Sequence, residues 1–144
     1  MEPRTERVVL ILADISGYTR FMLANQKALV HGQMLITMLI EGIIREVEIP
    51  LEVNKIEGDA VFLYAIKPAD EAAWEETRQL IGRKLRSFFE AFAGGILAAS
   101  ELGLCSCSSC RNVRQLKLKI VVHSGEALFH EVGLQLVPHR SGAR

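Results

Sequence analysis

Six consecutive apolar residues, Val8-Val-Leu-Ile-Leu-Ala13, run straight into the polar segment Asp14-Ile-Ser-Gly-Tyr-Thr19. An apolar run this short, closed by turn-forming residues, reads as a buried strand from Arg7 to Ala13, and the segment behind it as the place where that strand gives way to a helix. Strand and helix periods then alternate along the chain. From His31 to Glu48, Met34, Leu35, Met38, Leu39, Ile43, Ile44 and Val47 recur three and four apart, which predicts a helix stopped by Pro50. Leu51 to Glu57 and Asp59 to Ile66 read as two strands joined at Gly58. Asp70 is a candidate N-cap for a second helix carrying Trp74, Thr77, Ile81, Leu85, Phe88 and Phe92 on one stripe; Gly94-Gly95 would kink it and Gly103 would end it. Gln115 to His123 alternates Leu116, Leu118, Ile120 and Val122 with Lys117 and Lys119, a strand whose expected hairpin partner is Ala127 to Val132. Strand, helix, strand, strand, helix, strand predicts an α+β fold: a ferredoxin-like antiparallel sheet with helices packed on one face.

Size and charge narrow the function classes. A chain of 144 residues that is 49% hydrophobic can bury one sizeable core, so residues 1–144 are expected to form a single domain. Seventeen basic and 17 acidic side chains cancel, which gives a nucleic acid or an anionic membrane no attractive field. No unbroken apolar stretch approaches ~18 residues, and Met1-Glu-Pro-Arg-Thr-Glu-Arg7 lacks the apolar core of a signal peptide, so a cytoplasmic protein is expected.

Three segments stand at the ends of apolar runs: Asp14-Ile-Ser-Gly-Tyr-Thr19, Lys55-Ile-Glu-Gly-Asp59 and Val122-His-Ser-Gly-Glu126. The first resembles the Asp-Ile-Ser-Gly-Phe-Thr motif of the class III nucleotidyl cyclases, the adenylate and guanylate cyclase catalytic domains. The second and third are similar to that family's second metal motif and to its His-Thr-Gly strand end. All three occur in the family's order, and the resemblance spans roughly residues 6 to 130, closest to divergent bacterial members of no assigned function. It implies the ferredoxin-like fold already read from the periods, a homodimer, and a purine nucleotide such as ATP bound with Mg²⁺ or Mn²⁺.

Carried over residue by residue, the resemblance makes Asp14 and Asp59 the metal carboxylates and Ile15 the donor of a backbone carbonyl. Two converging carboxylates suit Mg²⁺, which keeps much of its water and takes only one or two acidic groups from a protein when it is bound to a triphosphate. Ser16, Gly17, Tyr18 and Thr19 would face the phosphates from a helix start. Gly58 would shape the turn. Lys55 matches a base-reading lysine of adenylate-specific members. Each residue also has a plainer reading: Asp14 as a turn former, Asp59 as half of an exposed hairpin, Lys55 as a solvated partner of Glu57, Ser16 and Ser124 as backbone caps, and His123 as a structural histidine at a strand end.

Cys105, Cys107 and Cys110 fall outside the cyclase pattern. Three soft donors within six residues suit Zn²⁺, with a fourth ligand to come from His123, His130 or a second copy of the chain. A local disulfide, or three unconnected thiols, are the other readings.

Active cyclases carry an Asn and an Arg on a helix beyond the His-Thr-Gly strand. Here only 18 residues follow Glu126, they contain no Asn, and Arg140 lies in no matching motif. The expectation is a truncated or divergent C-terminal end and a domain that binds a metal-nucleotide as a degenerate catalyst in a regulatory or interaction role, with no catalytic residue assigned. Two alternatives stand beside it: an active adenylate cyclase making cyclic AMP, and a zinc-stabilised cyclase fold without a nucleotide site.

Overall fold

The computed structural model describes residues 2–101, 107–130 and 133–136, the last of these by backbone only. The elements run β1 (Arg4–Ser16), α1 (Tyr18–Ala24), α2 (Leu29–Arg45), β2 (Glu52–Glu57), β3 (Ala60–Ile66), α3 (Glu71–Glu101), α4 (Ser108–Asn112), β4 (Lys117–His130) and β5 (Gly133–Leu136). Single 3₁₀ turns at Gln26–Ala28 and Val113–Gln115 lead into α2 and β4. The sheet order is β2-β3-β1-β4-β5, and every neighbouring pair is antiparallel. Its first four strands form the split βαβ arrangement expected from the sequence, with β1 in the middle.

Alternation along β1 explains the layering. Val9, Ile11, Ala13 and Ile15 point to one side and pack with Val61, Leu63 and Ala65 of β3 beneath the helices. Phe21 of α1, Ile36, Leu39, Ile40 and Ile43 of α2, and Ile81, Phe88 and Phe92 of α3 close that core from above. Each large side chain fully buried there contributes about 1.5–3 kcal/mol of hydrophobic stabilisation before ordering costs. On the other side of the sheet, Val8, Ala127 and Phe129 make a small cluster with Leu10, Tyr64 and Ile66 at one end. The remainder of that face is open to solvent.

The helix starts and turns follow local chemistry. Asp70 caps α3 as expected, its carboxylate accepting the Ala73 N–H at 2.9 Å. Gly17 takes φ +87° between β1 and α1, a left-handed backbone that a side chain would strain. The residues Gln26–Arg45 are long and apolar enough to span a bilayer by composition. One stripe of that segment lies in the core, a packing that accounts for part of its apolarity, while Leu29, Val30, Met34 and Met38 are exposed.

Several boundaries differ from the sequence reading. β1 is longer at both ends than Arg7 to Ala13, because β4 pairs with it from Arg4↔Phe129 to Ser16↔Lys117. The same ladder corrects the expected hairpin: Ala127 to His130 continues β4, and the partner is Gly133–Leu136. The first long helix starts at Leu29 and stops at Arg45, short of Glu48. α3 runs through Gly94-Gly95 as one helix. A Cβ on Gly95 would lie 2.8 Å from the Leu39 Cδ2, whereas one on Gly94 would meet nothing within 4 Å. Gly95 thus serves the close approach of α2 to α3. Gly103 and the C-terminal end beyond Leu136, for which a helix stop and a divergent close are expected, lie outside the described residues.

Two neighbouring glycine substitutions should therefore have opposite signs. Gly94→Ala is expected to stabilise by up to about 1 kcal/mol through helix propensity. Gly95→Val overpacks against a buried leucine and is expected to destabilise by about 1–3 kcal/mol in urea unfolding.

Candidate functional site

Asp14 belongs to the half of β1 that faces away from the helices, since its neighbours Ala13 and Ile15 are buried beneath them. Asp59 stands in the two-residue turn Gly58-Asp59 between β2 and β3. Asp14 pairs with Ala60 in the β1–β3 ladder, and one residue further on the Ile15 N–H donates to the Asp59 carbonyl at 2.9 Å. This main-chain bond ties the hairpin turn to the end of the central strand. The two carboxyl groups come within hydrogen-bonding reach of each other.

The electrostatics of the pair follow from that closeness. Asp14 is half-buried, and partial desolvation pushes its pKa up from the ordinary carboxylate value; the charge of Asp59 and a hydrogen bond to it push the same way. Lys119, directly across the β1–β4 ladder, acts in the opposite direction. Two carboxylates meeting at a strand end form a donor set that a hard divalent cation satisfies.

Of the other expected site residues, the structure brings some to this face and turns others away. Lys55 of β2 pairs with Phe62, whose side chain also points away from the helix layer, and its ammonium lies 4.7 Å from the Phe62 ring centre and 2.8 Å from the Glu57 carboxylate. Both contacts are exposed, so each holds the lysine by no more than about 1 kcal/mol. Ser16 and Thr19 are exposed beside the β1–α1 turn, while Tyr18 is partly buried against the helix-side core. Ile15 likewise buries its side chain, leaving only its backbone for a ligand. Gly58 has φ +33° and open space around it, so the turn's backbone is the reason for glycine there.

His123 belongs to this same open face, paired with Leu10, and its ring lies along β4 over Gly125, where a Cβ would come within 3.2 Å of Nε2. The glycine of His-Ser-Gly is thus a seat for the preceding imidazole. Two apolar grooves lie elsewhere, one along α2 by Val30, Met34 and Met38 and one between α3 and β4 by Phe89, Ile96 and Leu118. Neither includes Asp14 or Asp59.

At the opposite side of the α1–β1 junction, Cys107 and Cys110 meet a histidine the sequence reading passed over. The His31 Nδ1 is 3.4 Å from the Cys107 Sγ, and the donor atoms of His31, Cys107 and Cys110 all lie within 4.8 Å of one another. His123 and His130, the expected fourth ligands, are not part of this group. No spacing rule selects His31, because it is 76 residues from Cys107 and only the fold brings it near. Cys105 lies outside the described residues.

Comparison with known proteins follows the same lines. Residues 36–137 match the model of a family described as "Protein of unknown function (DUF2652)". The chain belongs to that family. No curated protein matches it. Among solved structures, the adenylyl cyclase CyaB from Pseudomonas aeruginosa superposes with a TM-score of 0.61 at 12% identity, over 96% of this chain and 69% of that one. The guanylyl cyclase Cya2 gives 0.57 at 14% identity, over 97% and 68%. A class III adenylyl cyclase-like ATP-binding protein from Pseudomonas aeruginosa gives 0.65 at 16% identity, over 88% of this chain and 26% of that one. The family member described here has the fold of class III cyclase catalytic domains, and at these identities the likeness is one of fold.

The carboxylate pair makes a prediction about the ion-free protein. A raised folded-state pKa means that the folded chain keeps the Asp14 proton where the unfolded chain has lost it. Stability therefore falls as the pH rises through that window, and the penalty is fully present at neutral pH. In chelator at pH 7, Asp14→Asn is expected to raise the melting temperature by about 1–3 °C, the equivalent of roughly 0.5 kcal/mol after solvent screening. The gain should vanish at pH 3, where both forms are neutral.

Proposed function

We propose that this domain binds a purine nucleotide, ATP in the first instance, together with Mg²⁺ or Mn²⁺ at the Asp14–Asp59 end of the sheet, and that it acts as a binding or regulatory module with little cyclase turnover. The observation that carries the reading is the convergence of two carboxylates from different elements on the open sheet face. When bound, the ion would neutralise the pair and bridge it to phosphate oxygens. Gly17 and the first backbone N–H groups of α1 follow directly along the chain and would face the phosphates. Lys119 stands across the ladder from Asp14 with positive charge, and Lys55 on β2 can exchange its weak Glu57 contact for a ligand acceptor. The ATP-binding protein of like fold lends the reading support.

Turnover is a separate demand. Phosphoryl transfer depends on positioning and on charge stabilisation at the transition state, where one well-placed arginine can be worth on the order of 10³ in rate. Binding and catalysis should therefore come apart in this protein. The exposed row Leu29, Val30, Met34 and Met38 on α2 supports the further proposal that the module works as a homodimer; sedimentation at tens of micromolar, an order-of-magnitude concentration for a specific interface, should give the mass of two chains.

Thermal unfolding with Mn²⁺ and ATP tests the main reading. At 100 times the dissociation constant the complex should be stabilised by about 2.7 kcal/mol, and Asp14→Ala or Asp59→Ala should abolish the gain. Cyclic AMP formation should stay near background. A wild-type protein whose melting temperature ignores Mn²⁺-ATP would refute nucleotide binding, and robust cyclic AMP formation lost in Asp14→Ala would replace the module with an enzyme.

A further inference from the structure

We infer that His31, Cys107 and Cys110 form a structural Zn²⁺ site that staples the connection between α3 and β4 onto the start of α2. The site is independent of the nucleotide reading. Its donors are one imidazole nitrogen and two sulfurs, a set that matches zinc and excludes hard cations such as Mg²⁺ and Ca²⁺. The geometry is close to that of a tetrahedral centre. With Zn–S near 2.3 Å and Zn–N near 2.0–2.1 Å, a tetrahedral edge between sulfur and nitrogen is about 3.6 Å and between two sulfurs about 3.8 Å. The observed nitrogen–sulfur separation is 3.4 Å, and no pair in the group exceeds 4.8 Å. Small rotations of three side chains bring all of them onto one ion, and the described residues supply three of its ligands.

The surroundings hold these donors in place from both sides. Cys107 and Cys110 bracket the first turn of α4, and the Cys107 Sγ accepts the Cys110 N–H at 3.5 Å. Hydrogen bonding of this kind favours the thiolate that zinc requires. Between the two cysteines, fully buried Ser109 donates to the Ala28 carbonyl at 2.9 Å, immediately before the helix that carries His31. Asn112 donates to the side chain of buried Asn25 at 3.1 Å, and Asn25 donates to the Phe21 carbonyl. Gly32, next to His31, lets α4 approach: a Cβ there would sit 3.1 Å from the Ser109 Oγ. The neutral hydrogen bonds fix the register between α4 and α2, and that register aligns the three donors. The donors are exposed or only partly buried, so an ion can reach them from solvent.

The occupant would displace the thiol protons on binding, so affinity should weaken as the pH falls. Its effect is local: α4 and the following turn Val113–Gln115 are held against α1 and α2, and the Gln115 carbonyl in that turn lies 3.7 Å from where a Gly17 Cβ would stand.

Metal analysis of the full chain, expressed in zinc-supplemented medium and purified under reducing conditions without chelator, should find about one zinc per chain. Cobalt added to the stripped protein should give a thiolate-to-cobalt charge-transfer band. Competition against a chromogenic chelator should show His31→Asn and Cys110→Ser weakening Zn²⁺ binding at least tenfold, a factor of ten being about 1.4 kcal/mol. His123→Asn, on the sheet's open face, should leave it unchanged. If the cysteine variant does not fold, X-ray absorption at the zinc edge of the wild type decides, with at least two sulfurs and one nitrogen expected in the first shell. Reduced wild-type protein that takes up neither zinc nor cobalt, an unchanged affinity in His31→Asn, or a first shell without both sulfur and nitrogen would each overturn the site.

Discussion

β1 is hydrogen-bonded along both edges, to β3 from Val8 to Asp14 and to β4 from Arg4 to Ser16. A strand clamped on both sides cannot slip by one residue without turning Val9, Ile11, Ala13 and Ile15 away from the helices and Asp14 into the core beneath them. That constraint decides where everything else in the molecule stands. Val9, Ile11, Ala13 and Ile15 are committed to the helices, so Asp14, between two of them in sequence, is committed to the open face. The Ile15 N–H then reaches the Asp59 carbonyl and fixes the β2–β3 turn at the same end. The candidate site is a consequence of register more than of any side-chain contact.

The two faces of the sheet divide stability from chemistry. Beneath the helices the packing is tight enough that one position, Gly95, has no room for a methyl group beside Leu39. On the open face, contacts are exposed and individually weak: Lys55 with Glu57 and Phe62, Lys119 across from Asp14, His123 over Gly125. Weak contacts are what a binding surface needs, because each can be exchanged for a ligand group at little cost. The repulsive Asp14–Asp59 pair is the exception, a local loss of stability that a cation would recover.

The thiol and imidazole group solves a different problem. The connection between α3 and β4 contains only a five-residue helix and one 3₁₀ turn among its described residues, too little to bury much apolar surface of its own. Val113 and Leu116 anchor its far end in the core, while Ser109 and Asn112 tie its middle to the loop before α2 through polar bonds. A bound ion would add the strongest tie at the near end. The proposed nucleotide and zinc sites thus share no residue, although the connection passes beside Gly17 on its way to β4.

The first four strands, the two long helices and their order were legible in the sequence, because hydrophobic period is a local property: a strand packed on one face tends to alternate, and a helix must repeat every three or four residues. The sequence also singled out Asp14, at the end of one apolar run, and Asp59, at the start of another. What the sequence left open were quantities set by partners distant in the chain. The length of β4 depends on β1, whose ladder carries it through Gly125 to His130. The role of Gly95 within the unbroken α3 depends on Leu39 of another helix, which leaves no room for a side chain there. His31 joins Cys107 and Cys110 only because α4 packs on the start of α2, across 76 residues of sequence. Local pattern decided which elements form and which residues end them; tertiary packing alone decided how far they run and which side chains meet, because those depend on surfaces that do not exist until the chain has folded.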